Sequence, residues 1–183
     1  MRFVLRLLRR PDPYALPVSM TGLKLGDRLL QIGCGDGGLL AALAAKVGLT
    51  GRACGVDESE AALERAARAA GRAGVLVELQ RAPYGALPFA PGSFDVVVLH
   101  RVLGAMTPER RVDTVAQAVR LLREGGRAIV VDRAPRGGLA ALLTPRERRY
   151  PVEELLRAAG FRAVRTLAQS IHSDDFPRFG RLR

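Results

Sequence analysis

Tryptophan is missing from this 183-residue chain, and lysine nearly so: Lys24 and Lys46 are the only two, and every other cation is arginine. Two cysteines, Cys34 and Cys54, are too few for a disulfide scaffold. With two histidines at scattered spacing they make no metal site either. No apolar run is long enough to cross a bilayer. The opening MRFVLRLLRR does not read as a signal peptide, because its apolar core is short and arginine interrupts it. These absences leave a soluble chain with the cytoplasm as its default compartment. Its length suits one sizeable core rather than two, and 48% hydrophobic residues exclude disorder.

Acidic residues are also short, 18 against 29 basic, for a formal charge of +11. Such a field favours anionic partners such as RNA, acidic metabolites or anionic lipid. A GC-rich genome would give the same arginine bias, so the charge decides nothing alone. On a helical wheel Arg2, Arg6, Arg9 and Arg10 share an arc of about 100°, with Phe3, Val4, Leu5, Leu7 and Leu8 on the rest. That segment suits either an anionic membrane surface or a short helix capping the domain's own core. With the Pro-rich RRPDPYALP it makes residues 1–22 an amphipathic segment and linker ahead of a domain at 23–183.

From there apolar runs alternate with helical periods. Strands are expected at Arg28–Ile32, Arg52–Val56, Val75–Gln80, Phe94–His100 and Arg127–Asp132. Helices are expected at Gly37–Val47, at Ser59–Gly71 with Ser59 as N-cap, and from Thr107-Pro108 to the stop at Gly125-Gly126. The last should bury Val112, Val115, Ala116, Val119 and Leu122. Continuously apolar strands alternating with helices mean a parallel sheet covered on both faces, a Rossmann-like doubly wound α/β fold. Beyond a helix at Val152–Ala159, Phe161–Gln169 and Phe176–Leu182 look like an antiparallel hairpin on the sheet's edge, making the sheet mostly parallel.

The stretch LLQIGCGDGGLL carries the chemistry. A strand ends at Ile32, the chain turns tightly, and a helix starts near Gly37. The missing side chains let a ligand reach the backbone, and free N–H groups at the helix start attract an anion. Gly33, Gly35 and Gly38 spell G-x-G-x-x-G, and Asp57 lies roughly 20 residues beyond, where an acid would take a ribose diol. This points to a nucleoside-containing ligand without separating NAD from others.

The separation comes from LLQIGCGDGGLLAALA, GVDESEAAL, ALPFAPGSFDVVVLHRVL, LLREGGRAIVVD and YPVEELLRAAGFRAV, taken in order. With these the chain resembles the class I S-adenosylmethionine-dependent methyltransferases over Leu23 to about Gln169, and most of all the branch acting on ubiquinone and menaquinone precursors and other small molecules. The resemblance implies S-adenosyl-L-methionine as cofactor, with Gly33, Gly35 and Gly37 under its amino-acid part and Asp57 on both ribose hydroxyls. The terminal hairpin fits that family's antiparallel last strand. Three positions depart from the family's pattern. Gln31 stands where an acid is usual, Glu58 where an apolar residue packs on adenine, and Pro83 where an Asp faces the adenine amino group. Tyr84 would supply a flat wall instead. Two lost hydrogen bonds at about 1 kcal/mol each would weaken the cofactor roughly tenfold to a hundredfold.

Methyl transfer from a sulfonium is an in-line displacement that needs a base only when the acceptor must shed a proton. His100, at the carboxyl end of the fourth strand, is the candidate catalytic residue; its alternative roles are to cap the strand or pack on the cofactor's methionine tail. His172 falls in the hairpin loop. The N-P-P-Y run of exocyclic base methylases is replaced by LHRVL, which lowers that activity and leaves other RNA positions open. Arg133, Arg136, Arg146, Arg148 and Arg149 in the short segment after the fifth strand would line the mouth and favour an anionic acceptor, or simply form a solvated basic face. The expectation is a methyltransferase acting on a small anionic or quinone-like acceptor. A catalytically degenerate domain of the same fold, binding a nucleoside or a protein partner, and an RNA methyltransferase are the alternatives.

Overall fold

The structure, a computed structural model, describes residues 13–132 and 151–166. Five strands form one sheet: β1 (Arg28–Ile32), β2 (Arg52–Asp57), β3 (Glu78–Arg81), β4 (Phe94–His100) and β5 (Leu122–Val131). Their order is β3-β2-β1-β4-β5, and every pair is parallel. The chain goes outward one way from β1 and then returns to begin again at β4. Between these two strands lies the switch point at which open α/β sheets bind their ligands.

Helices α1 (Ala15–Thr21), α2 (Gly38–Val47), α3 (Glu60–Ala73), α4 (Pro108–Leu121) and α5 (Val152–Ala158) cover the sheet. Side chains alternate across it as the pleat requires. Leu29, Val96 and Val98 face Leu39, Leu43 and Val47 of α2, whereas Leu30, Ile32, Val97 and Leu99 face Val115, Ala118 and Leu121 of α4 and Leu156 of α5. The helix starts follow the expected caps: Ser59 accepts from the Ala62 N–H and Thr107 from the Arg110 N–H.

Several expectations are corrected. The segment read as a linker holds α1, which packs against α2's face of the core through Val18 and the neighbouring Tyr14. Helix α3 runs past Gly71 to a left-handed cap at Gly74. Helix α4 buries Arg111, Thr114, Val115, Ala118 and Leu121 and leaves Val112 and Val119 exposed. Both stripes have helical spacing, and the buried one includes an arginine whose Nε donates to the Leu103 carbonyl at 2.9 Å, a partner invisible to hydropathy. The helix also ends before Gly125-Gly126. Strand β5 already begins at Leu122, opposite Phe94, and those glycines sit in a register shift after which Val96 pairs with Arg127.

The antiparallel hairpin is corrected as well: all described strands are parallel, and residues 161–166 form no strand. The remainder of that hairpin, with His172, lies outside the described residues. So do the amphipathic N-terminus and Arg133, Arg136, Arg146, Arg148 and Arg149.

Candidate functional site

A pocket of about 290 Å³ opens at the carboxyl ends of β1 and β4. Of the residues singled out in the sequence, Gly33, Gly35, Asp57, Tyr84 and His100 line it. Tyr14, Asp36, Arg101 and Val102 join them. Gln31 lies fully buried beside His100, Glu58 and Pro83 stand outside the lining, and Gly37 turns toward α3.

The glycine loop is built by close approach. Gly33 has φ +86°, and a Cβ there would meet the His100 carbonyl oxygen at 2.6 Å and the Val102 side chain closer still. Gly37, φ +82°, would collide with the Ala66 backbone of α3, so its missing side chain serves helix packing. Across the loop, Asp57 ends β2 with a buried carboxylate. Its Oδ2 accepts the Cys34 N–H at 2.8 Å and its Oδ1 the Ser59 N–H at 2.9 Å. The Tyr84 hydroxyl also bonds this carboxylate, and the acceptor capacity that remains faces the pocket. Cys34 is inert here: burial, and then the Asp57 charge, push its thiol up to about 12.

Glu58 does not offer its stem to the pocket. Its carboxylate takes the Tyr84 N–H at 3.1 Å and the Arg110 guanidinium at 2.6 Å, tying the loop after β3 to the start of α4. Tyr84 is thereby held as a pocket wall beside Asp57; burial and that carboxylate raise its hydroxyl's pKa. Pro83 is exposed and accepts at its carbonyl from Ala86 N, closing a turn.

The start of α2 carries a second carboxylate. Asp36 Oδ1 takes the Gly38 N–H at 2.9 Å, and its Oδ2 accepts from the Tyr14 hydroxyl at 2.8 Å. Burial acts to raise this acid, but those two hydrogen bonds and the nearby His100 and Arg101 hold it below the usual carboxylate range. The anion that the helix start attracts is thus supplied by the chain itself. A pyrophosphate would meet a fixed negative charge there, whereas a cationic ligand is favoured.

At the pocket floor, His100 and Gln31 share a sheet face, since Gln31 pairs with Val98 two residues earlier. Gln31 Nε2 donates to the Gly33 carbonyl at 2.7 Å and lies 3.5 Å from His100 Nδ1. Gln31 Oε1 and His100 Nε2 are buried without a hydrogen-bond partner among the described residues. Burial, then Arg101, lowers the histidine's pKa against the pull of Asp36, Asp132 and a hydrogen bond to the Gly33 carbonyl. Next to it Arg101 sits in the left-handed region, φ +56°. This geometry is uncommon for a side-chain-bearing residue and points its exposed side chain to the pocket mouth.

Sequence reasoning missed Tyr14, Asp36, Arg101 and Val102. Asp36 stood inside the quoted loop, and its place just before the helix was the available signal. Tyr14 was hidden in a proline-rich stretch, and nothing local marks Arg101's backbone.

The described residues fit S-adenosyl-L-methionine: a buried carboxylate facing the pocket, a loop open to close approach, and two polar atoms at the floor with no partner among the described residues. Comparison with known proteins points the same way. Residues 29–126, more than half the chain, match the family model described as "Methyltransferase domain". A demethylmenaquinone methyltransferase of Symbiobacterium thermophilum is 34% identical over 117 residues, 63% of this chain and 46% of that protein. A 27-O-demethylrifamycin SV methyltransferase of Amycolatopsis mediterranei is 39% identical over 118 residues, 62% and 41% respectively. The chain therefore spans less than half the length of either relative. The crystal structure of a SAM-dependent methyltransferase from Aquifex aeolicus shares the fold, with a TM-score of 0.71 over 88% of this chain and 89% of that one at 21% identity.

Proposed function

The chain belongs to the methyltransferase-domain family, and from that premise we propose that it transfers the methyl group of S-adenosyl-L-methionine to a small anionic or quinone-like acceptor. When bound, this cofactor supplies an electrophilic methyl on a sulfonium. The observation that carries the reading is the pair of carboxylates around the glycine loop. Asp57 offers acceptor sites for a ribose diol, and Asp36 makes the helix start a place for positive charge rather than for a phosphate. Gly33 and Gly35 let the cofactor's amino-acid part lie against the backbone, while Tyr14 and Tyr84 wall the two sides and limit water. His100, at the end of β4, is the polar group assigned to the reacting end. The quinone-like acceptor draws support from the relative named for demethylmenaquinone, and the anionic one from Arg101 at the mouth.

Calorimetry with S-adenosylhomocysteine tests the cofactor half of this proposal. Binding at tens to hundreds of micromolar is expected. Asp57→Ala removes two charge-assisted hydrogen bonds at about 1.5 kcal/mol or more each, so it should weaken binding at least ~100-fold. Binding that is absent, or equal in the two proteins, would end the enzyme reading and leave a fold relative with another role.

A further inference from the structure

We propose that Gln31 fixes the tautomer of His100 with its proton on Nε2, making the pocket floor a hydrogen-bond donor, so that the acceptor methylated here is one that arrives already ionised, a phenolate or enolate. The inference rests on the methyltransferase reading for its second half and on this chain's geometry for its first.

Gln31 Nε2 carries two hydrogens. One is committed to the Gly33 carbonyl at 2.7 Å, and the other is the group that faces His100 Nδ1 at 3.5 Å. Were Nδ1 protonated, its N–H would compete with the Gln31 amide for the Gly33 carbonyl, which lies within reach of the ring and already takes the amide at 2.7 Å, and two donors would crowd one acceptor in a buried site. With Nδ1 as acceptor the contact is favourable, although long, and the imidazole proton falls on Nε2. Flipping the amide would set Gln31 Oε1 against the Gly33 carbonyl oxygen, two acceptors at hydrogen-bond distance. Gln31 is therefore held as a donor toward the ring. A carboxylate at position 31 would reverse the logic: it accepts from Nδ1–H and leaves a lone pair on Nε2, which is what a general base requires.

Two further observations agree. His100 Nε2 is buried with no partner among the described residues, so that nitrogen is left for a ligand, as the proposed donor role requires. Arg101, the next residue, places an exposed guanidinium at the same pocket, and no described hydrogen bond or ion pair occupies its side chain. The charged groups acting on the ring are Asp36 from the glycine loop, Arg101 beside it and Asp132 beyond the end of β5. Asp132 is engaged by the Gly104 N–H at 2.8 Å and Asp36 by Gly38 and Tyr14, whereas the Arg101 guanidinium makes no hydrogen bond among the described residues.

The chemistry follows. An ionised oxygen or enolate carbon has no proton to shed. Its electron pair forms the bond to the methyl carbon as the methyl–sulfur bond breaks with its pair left on sulfur, and the products balance without a base. The chain's part is to favour the anion, through Nε2–H and the Arg101 charge, over its neutral acid.

Long-range ¹H–¹⁵N correlation spectra of the uniformly labelled full chain read the tautomer directly. Only two histidines are present, and His172→Gln assigns the pair. Without ligand, His100 is expected to show a pyrrole-type Nε2 and a lone-pair Nδ1. The opposite pattern, with Nδ1–H on the Gly33 carbonyl, or rapid exchange between the two, overturns the proposal. Gln31→Glu should invert the pattern; a folded variant with an unchanged His100 spectrum would show that Gln31 does not set it.

The acceptor class is read with 4-nitrophenol on protein saturated with S-adenosylhomocysteine, following the phenolate absorbance. Bound probe should ionise about one pH unit below free probe, a tenfold preference for the anion that His100→Ala diminishes. An unshifted or raised ionisation, or no binding at millimolar probe, overturns the acceptor class. Failure to bind S-adenosylhomocysteine would instead remove the methyltransferase reading, while the tautomer result stands on its own.

Discussion

At the scale of single residues, the site depends on side chains that are absent as much as on those present. Gly33 holds a left-handed backbone hard against the His100 carbonyl and Val102. Gly33→Ala adds the cost of positive φ, about 1–2 kcal/mol, to a steric clash. It should lower unfolding stability by at least ~2 kcal/mol in urea titrations and abolish S-adenosylhomocysteine binding. This part of the site was legible beforehand, because a tight strand-to-helix turn needs glycine and a ribose needs an acid. Gly33, Gly35 and Asp57 stand where those demands put them. Arg101 was not legible, since its role depends on a left-handed backbone that its own side chain disfavours. Gln31 could be read as a missing charge, but its orientation toward His100 follows only from the β1–β4 register.

At the scale of elements, β1, β2 and β4 were plain because each carries a buried apolar run, with its polar residues mostly at the ends. The faces of α4 were not, because two stripes compete and the buried one carries Arg111. The start of that helix does a second job through Arg110, which with Glu58 anchors the loop bearing Tyr84. The pair is about half exposed, 54% and 37% for the two side chains, so its contribution is small. Arg110→Ala and Glu58→Ala are each expected to raise the apparent Kd for S-adenosylhomocysteine by less than about fivefold, with unfolding midpoints nearly unchanged. A loss as large as that of Asp57→Ala would mean that Glu58 touches the ligand itself.

At the scale of the whole molecule, acid should loosen the fold in two steps. Asp95, at the end of the sheet remote from the pocket, accepts from the Arg28 N–H at 2.7 Å and from the guanidinium groups of Arg28 and Arg123. Burial opposes ionisation, yet these partners bring its pKa down to about 2. Its folded value lies below its unfolded one, so the stability it contributes is complete above about pH 4 and is lost as pH falls toward 2, about 2 kcal/mol in all. His100 is also shifted downward, by burial foremost, so its share is present above its ordinary value of 6.5 and declines as pH drops below it. Chemical denaturation across pH should therefore show a shallow fall below 6.5 and a steeper one below 4; Asp95→Asn should flatten the second and His100→Gln the first.

The family-matched stretch starts at Leu29, yet one wall of the ligand chamber is Tyr14, whose ring packs over Gly38 and whose hydroxyl holds Asp36. The pocket's lining thus extends beyond the border of the family match in this chain. A protein trimmed to the shared region would keep the central strand's glycine loop but give up the ring that leans on it, so a truncation at the family border would remove part of the cleft's own wall.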